Sequence, residues 1–251
     1  MNKIGIDVSE HNGKLNWKKL KSDVGFTIIR CGYGSDYKNQ DDKQFNNNIK
    51  GCAKNSIPYG IYLYSYADTV DKAKSEAQHT LRLIKGLNPY LPVYYDVEET
   101  KQYKLGKAKL KEIISTYCNI ISKAGYRVGI YASTSWWNSV LADSFYDKYY
   151  KWVAQWSSKC TYKGEYSCWQ FTNAFKVGEG GGKFDANILT KPIILGDVNG
   201  DYSLTNDDVE LILKAAAKIE SVNDIIADLN KDGKITTKDA KILLDFLKGE
   251  S

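Results

Sequence analysis

The sequence predicts an α/β barrel over residues 1–192 and a small all-α domain over residues 193–251. Three observations support this division. Eight short apolar or aromatic segments fill the first 190 residues, and helix-like stretches separate the early ones, as is typical of parallel βα units. The remaining residues hold a duplicated acidic loop, each copy followed by an amphipathic stretch. Net charge also differs, because residues 1–193 carry +10 and residues 194–251 carry −5.

Eight segments have the length and composition of β-strands. Each is rich in β-branched or aromatic residues and is flanked by polar residues. No apolar run approaches the roughly 18–20 residues that span a bilayer. The strand candidates are Lys3–Val8, Phe26–Cys31, Tyr59–Tyr66, Pro92–Glu98, Val128–Ser133, Lys151–Trp156, Ser167–Thr172 and Phe184–Leu189.

Helical stretches follow the early strands, whereas the spacing shortens after about residue 144. The late connections leave little room for the crossover helices that parallel strands normally need. A barrel with missing late helices fits a length of about 190 residues, which is short for a full eightfold barrel. The helix candidates are Trp17–Ser22, Asp41–Asn55, Thr69–Leu87 and Leu105–Ala124.

Every predicted strand ends with a polar or aromatic side chain. In a βα barrel these ends meet at one face, where active sites form. A doubly wound sheet with polar strand ends is the alternative architecture. The end residues are Asp7, Arg30, Tyr64, Ser65, Asp96, Glu98, Tyr131, Ser133, Gln155, Trp156, Gln170, Asp185 and Asn187.

The composition restricts the class of partner. Disorder, collagen and coiled coil are excluded by 43% hydrophobic and 26% charged residues in an ordinary pattern. The chain has 32 Lys and only three Arg, which argues against the guanidinium forks that read bases and phosphates. The basic part suits an anionic polymer such as a bacterial cell wall, or is simply a solvated surface.

Cysteine and histidine offer little chemistry. The five cysteines match no zinc spacing, and only His11 and His79 are present, so a zinc site or a Cys–His nucleophile is not expected. Cys160 and Cys168 flank a hairpin-like stretch, and their spacing permits a disulfide.

The strongest chemical signal is the pair Asp96 and Glu98 at the end of an apolar strand. Residues two apart in a strand point to the same face. Two neighbouring carboxylates repel each other and raise at least one pKa, which suits a general acid near neutral pH. Together with Asp7 and Asp185 at other strand ends they predict a cluster of four carboxylates.

Aromatic residues reach 13% of the chain, with 19 Tyr and 6 Trp. Aromatic rings stack on the apolar faces of sugars, and their OH and NH groups bind sugar hydroxyls. Carboxylates surrounded by such rings indicate carbohydrate chemistry, although many of these rings also fit a protein core. The candidates are Tyr33, Tyr62, Tyr64, Tyr131, Trp156 and Trp169.

Seven segments combine these strand-end carboxylates with aromatic residues: Asp7–Gly13, Gly60–Ala67, Asp96–Glu98, Gly129–Ser133, Trp152–Trp156, Trp169–Thr172 and Phe184–Asn187. In this order, over about residues 3–190, they resemble the signature segments of glycoside hydrolase family 25 lysozymes. The resemblance implies a modified TIM-like barrel of five βα units followed by three strands, which hydrolyses the β-1,4 bond between N-acetylmuramic acid and N-acetylglucosamine in peptidoglycan.

The resemblance also implies roles for the carboxylates, without a catalytic cofactor. Glu98 would protonate the leaving oxygen, Asp96 would hold the substrate acetamido group, and Asp7 and Asp185 would tune the pKa of Glu98. Retention with acetamido participation is our hypothesis, while a carboxylate nucleophile and direct attack by water stay open. The substrate-binding candidates are Arg30, Tyr33, Tyr62, Tyr64, Tyr131, Trp156 and Gln170.

The acidic tail contains two twelve-residue loops with the oxygen-ligand spacing of calcium sites. Each has an Asp at position 12, and the first has Tyr202 at position 6, where Gly is expected, so that loop is expected to be strained. Predicted helices Val209–Lys218 and Ala240–Lys248 follow. Two Ca²⁺ ions would be held by Asp197, Asn199, Asp201, Ser203 (through its carbonyl), Thr205 and Asp208, and by Asp228, Asn230, Asp232, Lys234 (through its carbonyl), Thr236 and Asp239.

A duplicated loop and helix over about residues 195–249 resembles a type I dockerin. Dockerins bind cohesin domains, with recognition at loop positions 10 and 11. These positions hold Asn206 and Asp207 in the first loop but Thr237 and Lys238 in the second, which differ from each other and from the common Ser-Thr pattern. A purely structural calcium module is the alternative.

The sequence therefore predicts a lysozyme that binds peptidoglycan glycan strands, with a docking module and without nucleic acid or membrane partners. A chitinase-like hydrolase of N-acetylglucosamine polymers is one alternative, although the longer DxxDxDxE run of such enzymes is absent. A non-catalytic wall- or glycan-binding protein is another. The expected location is the outside or surface of a Gram-positive anaerobe after removal of a signal peptide, or a phage endolysin that needs none.

Overall fold

A computed structural model describes residues 4–178 and 182–249. The chain divides into two compact units. The first extends to Thr190 but leaves out residues 88–90. The second begins at Lys191 and also contains residues 88–90. This division falls two residues before the predicted boundary between residues 192 and 193. No helix within the described residues is long and apolar enough to cross a membrane.

The first unit is a closed barrel of eight strands in sequence order, so the alternative of a doubly wound sheet is wrong. Strands β1 to β7 pair in parallel, and β8 runs antiparallel to both β7 and β1. Lys3, the predicted start of β1, lies outside the described residues. The strands are β1 (Ile4–Val8), β2 (Phe26–Tyr33), β3 (Tyr59–Tyr64), β4 (Val93–Asp96), β5 (Val128–Ser133), β6 (Tyr150–Ala154), β7 (Cys168–Lys176) and β8 (Lys183–Leu189).

Helices accompany the first five strands, as the sequence predicts, and each of the four predicted helices lies within a few residues of its expected bounds. The connections between β6, β7 and β8 contain no helix within the described residues. The helices of this unit are α1 (Trp17–Leu20), α2 (Phe45–Lys54), α3 (Val70–Ile84), α4 (Thr100–Tyr103), α5 (Gly106–Lys123) and α6 (Thr134–Trp137), with short 3-10 turns at Glu10–Asn12, Lys38–Gln40 and Ser144–Lys148.

Alternation along the strands separates the core from the barrel interior. In β1, Ile6 and Val8 are buried in the main hydrophobic cluster, which also contains helix residues such as Ile113 and Tyr117. Asp7, between them, belongs to the opposite face, and so do the other polar strand residues of the predicted site. A two-residue period therefore places apolar side chains toward the helices and polar ones inside the barrel.

The second unit is helical and has its own small core, formed by residues such as Val209, Ile212 and Leu243. Its helices are α7 (Asn206–Ala216), α8 (Asp224–Ala227) and α9 (Thr237–Lys248). Helices α7 and α9 begin three residues before the predicted starts, because Thr205 and Thr236 cap them and form capping boxes. Helix α8 has no counterpart in the predictions.

All five cysteines are thiols, so the disulfide that the spacing of Cys160 and Cys168 permits is absent. Cys168 is fully buried in β7, where burial raises the pKa of its thiol. Cys160 lies in the loop before β7 and is only partly buried. A buried thiol of this kind packs as a small apolar side chain.

Candidate active site

The barrel brings the four predicted carboxylates to one cleft of about 680 Å³. Asp7 lies near the end of β1, Asp96 ends β4, and Glu98 follows two residues later. Asp185 lies near the beginning of β8, not at a strand end as predicted. Because β8 is antiparallel, its beginning meets the carboxyl ends of the other strands, and Asp185 pairs directly with Asp7.

Asp7 is the most firmly held of the four carboxylates. Its side chain is 8% exposed, and its Oδ2 accepts hydrogen bonds from Gln170 Nε2 at 2.9 Å and Asn187 Nδ2 at 2.8 Å. Burial and the charge of Asp185 raise the pKa of Asp7 to about 7, although the two amide donors oppose the increase. Asp7 therefore titrates near neutral pH.

Indole and phenol donors fix the orientation of these two amides. Trp152 Nε1 donates to Asn187 Oδ1 at 2.7 Å. Gln170 Oε1 accepts from Tyr131 Oη at 3.0 Å and from Trp156 Nε1 at 3.1 Å. Since an indole N–H can only donate, both amide oxygens must face the tryptophans and both NH₂ groups must face Asp7.

Asp96 is 4% exposed, and its Oδ1 has no hydrogen-bond partner among the described residues. Burial and the charges of Glu98 and Asp7 raise the pKa of Asp96 well above its ordinary value, and Arg30 only partly opposes this. A buried carboxyl oxygen without a partner is costly unless it is protonated or meets a donor from a ligand.

Glu98 is an exposed side chain that lines the cleft. Surrounding protein atoms desolvate its carboxyl group in part, and Glu99 and Asp185 add negative charge, so its pKa is raised. The pKa of Asp185 is raised as well, by partial burial. An accessible carboxyl group with a raised pKa retains its proton to higher pH, which is the property of a general acid.

Aromatic side chains form the walls of the cleft. Tyr62 and Tyr131 contact the Trp152 ring edge-on, with ring centroids 5.8 and 4.6 Å apart. At the other side Tyr66 lies against Tyr33 and Tyr64, at 6.3 and 5.1 Å. These rings offer both apolar faces and hydroxyl groups to a sugar.

Arg30 also lines the cleft, but its charge is already paired. Its guanidinium contacts Asp42 at 2.9 Å and Glu10 at 3.0 Å, and it lies 5.6 Å from the centre of the Tyr33 ring. These contacts make Arg30 a support for the cleft wall rather than a free cation for a substrate.

Two predicted aromatic residues do not line the cleft. Trp156 is 59% exposed and reaches the cleft only through its hydrogen bond to Gln170. Trp169 donates to the carbonyl of Gln155. Trp152 lines the cleft but is absent from the predicted site, although it lies four residues before Trp156 and therefore on the same face of the predicted strand Lys151–Trp156. Other lining residues not predicted are Val8, Ser9, Glu10, His11, Asn12 and Tyr66.

The two loops of the second unit have the same internal geometry. Asp197 accepts from the backbone of Gly200, Asp201 and Tyr202, and Asp228 accepts from the equivalent positions 5 and 6 of its loop. Position 12 also matches, because Asp208 and Asp239 are fully buried and each accepts from three backbone NH groups of its own loop.

The donor chemistry of both loops fits calcium, because every predicted ligand is an oxygen. In residues 4–178 and 182–249, however, no three acidic, histidine or cysteine side chains are grouped closely enough to hold a metal ion. Backbone NH groups fix the orientation of these carboxylates, and each carboxylate oxygen has a further lone pair for an ion. Tyr202 has a φ of 70°, whereas the equivalent residue in the second loop is Gly233, at 81°. The predicted strain at position 6 therefore has a geometric basis.

Comparisons with known proteins agree with both units. The model of glycosyl hydrolases family 25 matches residues 6–179, and that of the dockerin type I domain matches residues 195–248. Lysozyme M1 from Streptomyces globisporus is 26% identical over 198 residues, which are 73% of this chain. The chain spans 66% of the length of that relative.

Solved structures extend the comparison. The modular autolysin LytC from Streptococcus pneumoniae, in complex with a synthetic peptidoglycan ligand, is 32% identical with a TM-score of 0.64, over 74% of this chain and 46% of its own. A family 25 glycosyl hydrolase from Bacillus anthracis has the same fold, with a TM-score of 0.67 at 24% identity over 76% and 90% of the two chains. With the barrel, its acidic cleft and a family match over most of its length, this chain belongs to glycosyl hydrolases family 25.

Proposed function

We propose that the chain is a lysozyme that hydrolyses the β-1,4 bond between N-acetylmuramic acid and N-acetylglucosamine in peptidoglycan. The observation that carries this proposal is the cluster of four carboxylates in an aromatic cleft at one end of the barrel. A relative named as a lysozyme and a structural neighbour solved with a synthetic peptidoglycan ligand support the choice of substrate.

Glu98 is the general acid in this proposal. It is the accessible member of the cluster, and its raised pKa keeps it protonated toward neutral pH. It donates this proton to the glycosidic oxygen as the bond to the anomeric carbon breaks. The resulting carboxylate then removes a proton from the water that completes the reaction.

Asp96 positions the nucleophile, which we propose is the substrate's own acetamido oxygen. That oxygen attacks the anomeric carbon, and water later opens the cyclic intermediate with retention of configuration. Asp96 Oδ1, which has no partner among the described residues, accepts the acetamido N–H. A carboxyl group keeps one acceptor oxygen even when it is protonated, so the raised pKa of Asp96 is compatible with this role.

Digestion of purified cell walls tests the activity. Wild type should clear a wall suspension, and Glu98→Gln should be slower by a factor of about 10²–10⁴, the usual contribution of a general acid. Glu112→Gln is a matched control, because Glu112 is exposed on α5 and pairs only with Lys109. Equal clearing by wild type and Glu98→Gln would contradict the catalytic role, and no clearing by wild type would favour a wall-binding protein.

The anomeric configuration of the first product tests the mechanism. Proton NMR of a purified peptidoglycan fragment, recorded during cleavage, should show that the new reducing end forms first as the β-anomer, before mutarotation. A first-formed α-anomer would mean inversion and would rule out acetamido participation.

We also propose that the second unit binds two calcium ions and docks to a cohesin domain. All predicted ligands are oxygens, the two loops share one hydrogen-bond pattern, and the dockerin family model covers both. Calorimetric titration of the chelator-treated chain should give two ions per chain. A cohesin panel that captures the chain only with calcium present would support docking, whereas calcium binding without any capture would favour a structural module.

Finally, we propose that the protein acts outside the cell or at the surface of a Gram-positive anaerobe. Its proposed substrate lies there, and cohesins are surface or scaffold components. Fractionation of a native culture followed by immunoblotting should find it in the medium or the wall. Recovery only after phage-induced lysis would instead identify an endolysin.

A further inference from the structure

A second groove, of about 790 Å³, lies beside the catalytic cleft in the barrel unit. One wall is the segment from His11 to Asp23, which includes α1. The other wall consists of residues 177–178, just after the end of β7, and residues 182–184, at the beginning of β8. This groove has no part in the chemistry proposed for the four carboxylates.

Cationic side chains dominate the groove. Lys14, Lys18, Lys19 and Lys183 line it, and all four are exposed. Within the described residues none of them takes part in an ion pair. Among the described residues that line the groove, Asp23 is the one acidic residue. Four unpaired ammonium groups around one concave surface attract an anionic ligand.

The floor of the groove is apolar. Leu20, Val177 and Phe184 line it and are each at most 6% exposed, and Leu15 is partly buried beside them. The groove thus combines a hydrophobic floor with a cationic rim. This combination suits a ligand with short aliphatic side chains and carboxylates, whereas a poly(glycerol phosphate) chain has no apolar groups to cover such a floor.

The groove adjoins the catalytic cleft. His11 and Asn12 line both, so a ligand anchored in the cleft can extend a substituent past them into the groove. In peptidoglycan the lactyl group of N-acetylmuramic acid carries such a substituent, a short peptide with alanine methyl groups and free carboxylates.

We propose that the lysine-lined groove binds the acidic stem peptide of the glycan strand held in the catalytic cleft. This inference rests on the proposed lysozyme function, because it takes its ligand from that substrate. The lysines hold the peptide carboxylates, and the apolar floor receives the alanine side chains. The groove makes peptide-bearing strands better substrates than bare glycan.

A fourfold variant with Lys14, Lys18, Lys19 and Lys183 all changed to Gln tests the groove. The matched control changes four other exposed lysines that form no ion pair with any described residue, on α2 and near the ends of α3 and α5: Lys50, Lys54, Lys85 and Lys123. Both variants lose the same charge, so a general loss of attraction to an anionic wall affects them equally. Each is assayed on soluble glycan strands with their peptides, on strands stripped of peptide by an amidase, and on cell walls with and without their teichoic acid.

We expect the groove variant to raise KM on peptide-bearing strands by roughly tenfold, since exposed ion pairs are individually weak and several act together. Its KM on stripped strands should match that of wild type, and the control variant should match wild type on both. Salt should raise the KM of wild type on peptide-bearing strands and have less effect on the groove variant.

Three results would overturn the proposal. One is that the groove variant raises KM equally on stripped and peptide-bearing strands. Another is that the control variant raises KM as much as the groove variant does. The third is a rise in KM confined to walls that still carry teichoic acid, which would assign the groove to a phosphate polymer. Cosedimentation of Glu98→Gln, with and without the four groove changes, measures binding without turnover. If wild type cleaves neither substrate the proposed function fails, while this binding measurement still tests the groove.

Discussion

Asp7→Asn should make the barrel more stable at pH 8 while it impairs catalysis. The substitution removes the titratable group but leaves a carbonyl oxygen that can accept from Gln170 and Asn187 as Asp7 Oδ2 does. It also removes the repulsion between Asp7 and Asp185, which face each other across β1 and β8.

The pKa of Asp7 sets the size and the sign of the effect. Its value is about 7 in the folded protein and 3.8 for an ordinary aspartate. A raised folded-state pKa gives a contribution to stability that is complete below pH 3.8 and is lost as the pH rises through about 7. With about 1.4 kcal/mol for each pKa unit, wild type should lose up to about 4 kcal/mol relative to Asp7→Asn between pH 4 and pH 8.

Tryptophan fluorescence during urea unfolding measures the free energy of unfolding of the barrel alone. All six tryptophans lie between residues 17 and 169, so the signal does not report the second unit. The free energy of unfolding of wild type and variant should converge near pH 4 and separate at pH 8, with the variant more stable. Asp143→Asn is the control, because Lys111 lowers the pKa of this exposed residue and its removal should give no such gain.

Parallel pH dependences for wild type and Asp7→Asn would refute the reasoning. They would mean that the pKa of Asp7 is the same in the folded and unfolded protein, because its two amide donors offset the effect of burial and of Asp185. A variant that unfolds at every pH would point to a different role, and the Asn187 and Gln170 changes below would then decide.

Three further results are expected. Gln170→Leu removes one donor to Asp7, so Asp7 keeps its proton to higher pH. The acid limb of the pH profile of kcat/KM should therefore move upward by about one to two units, since a hydrogen bond to a charged group contributes about 1.5–3 kcal/mol. Asn187→Leu should do the same, and an unchanged limb in both would contradict the role of the two amide donors. Trp152→Phe should move the same acid limb upward by a smaller amount, because the Asn187 amide is then free to turn. A change in kcat without a shift of the acid limb would contradict this role of Trp152. Tyr202→Gly should tighten calcium binding at the first loop by about five- to thirtyfold in a calorimetric titration, because it relieves a left-handed conformation that costs about 1–2 kcal/mol. Unchanged affinity would show that the first loop is not strained.

The strands and helices of the barrel followed from local patterns. β-branched runs, helical stretches and shortened late connections located all eight strands, and the structure brings the strand-end carboxylates Asp7 and Asp96 into one cleft. The direction of β8 could not be predicted, because the period of two is the same in either direction. Asp185 was therefore expected at a strand end, whereas it lies near the beginning of an antiparallel strand.

The partners of the site residues were harder to predict than the residues themselves. Arg30 was expected to face substrate as a strand-end cation, but Asp42 and Glu10 neutralise it, and neither is a neighbour in a regular pattern. The predicted site includes Trp156, at the end of the predicted strand, and does not include Trp152. The side chain of Trp152 faces inward, and the loop after the strand carries Trp156 out of the cleft.

The reversal of β8 explains how the site can hold a buried carboxylate next to another acid. Asp185 and Asn187 are two residues apart, so both face the interior, and the antiparallel register brings both to Asp7. Asp185 raises the pKa of Asp7 and Asn187 lowers it, so one strand supplies both opposing influences. Asn187 comes from 180 residues away and Gln170 from 163, which is why local sequence could suggest the carboxylates but not the donors that set their protonation.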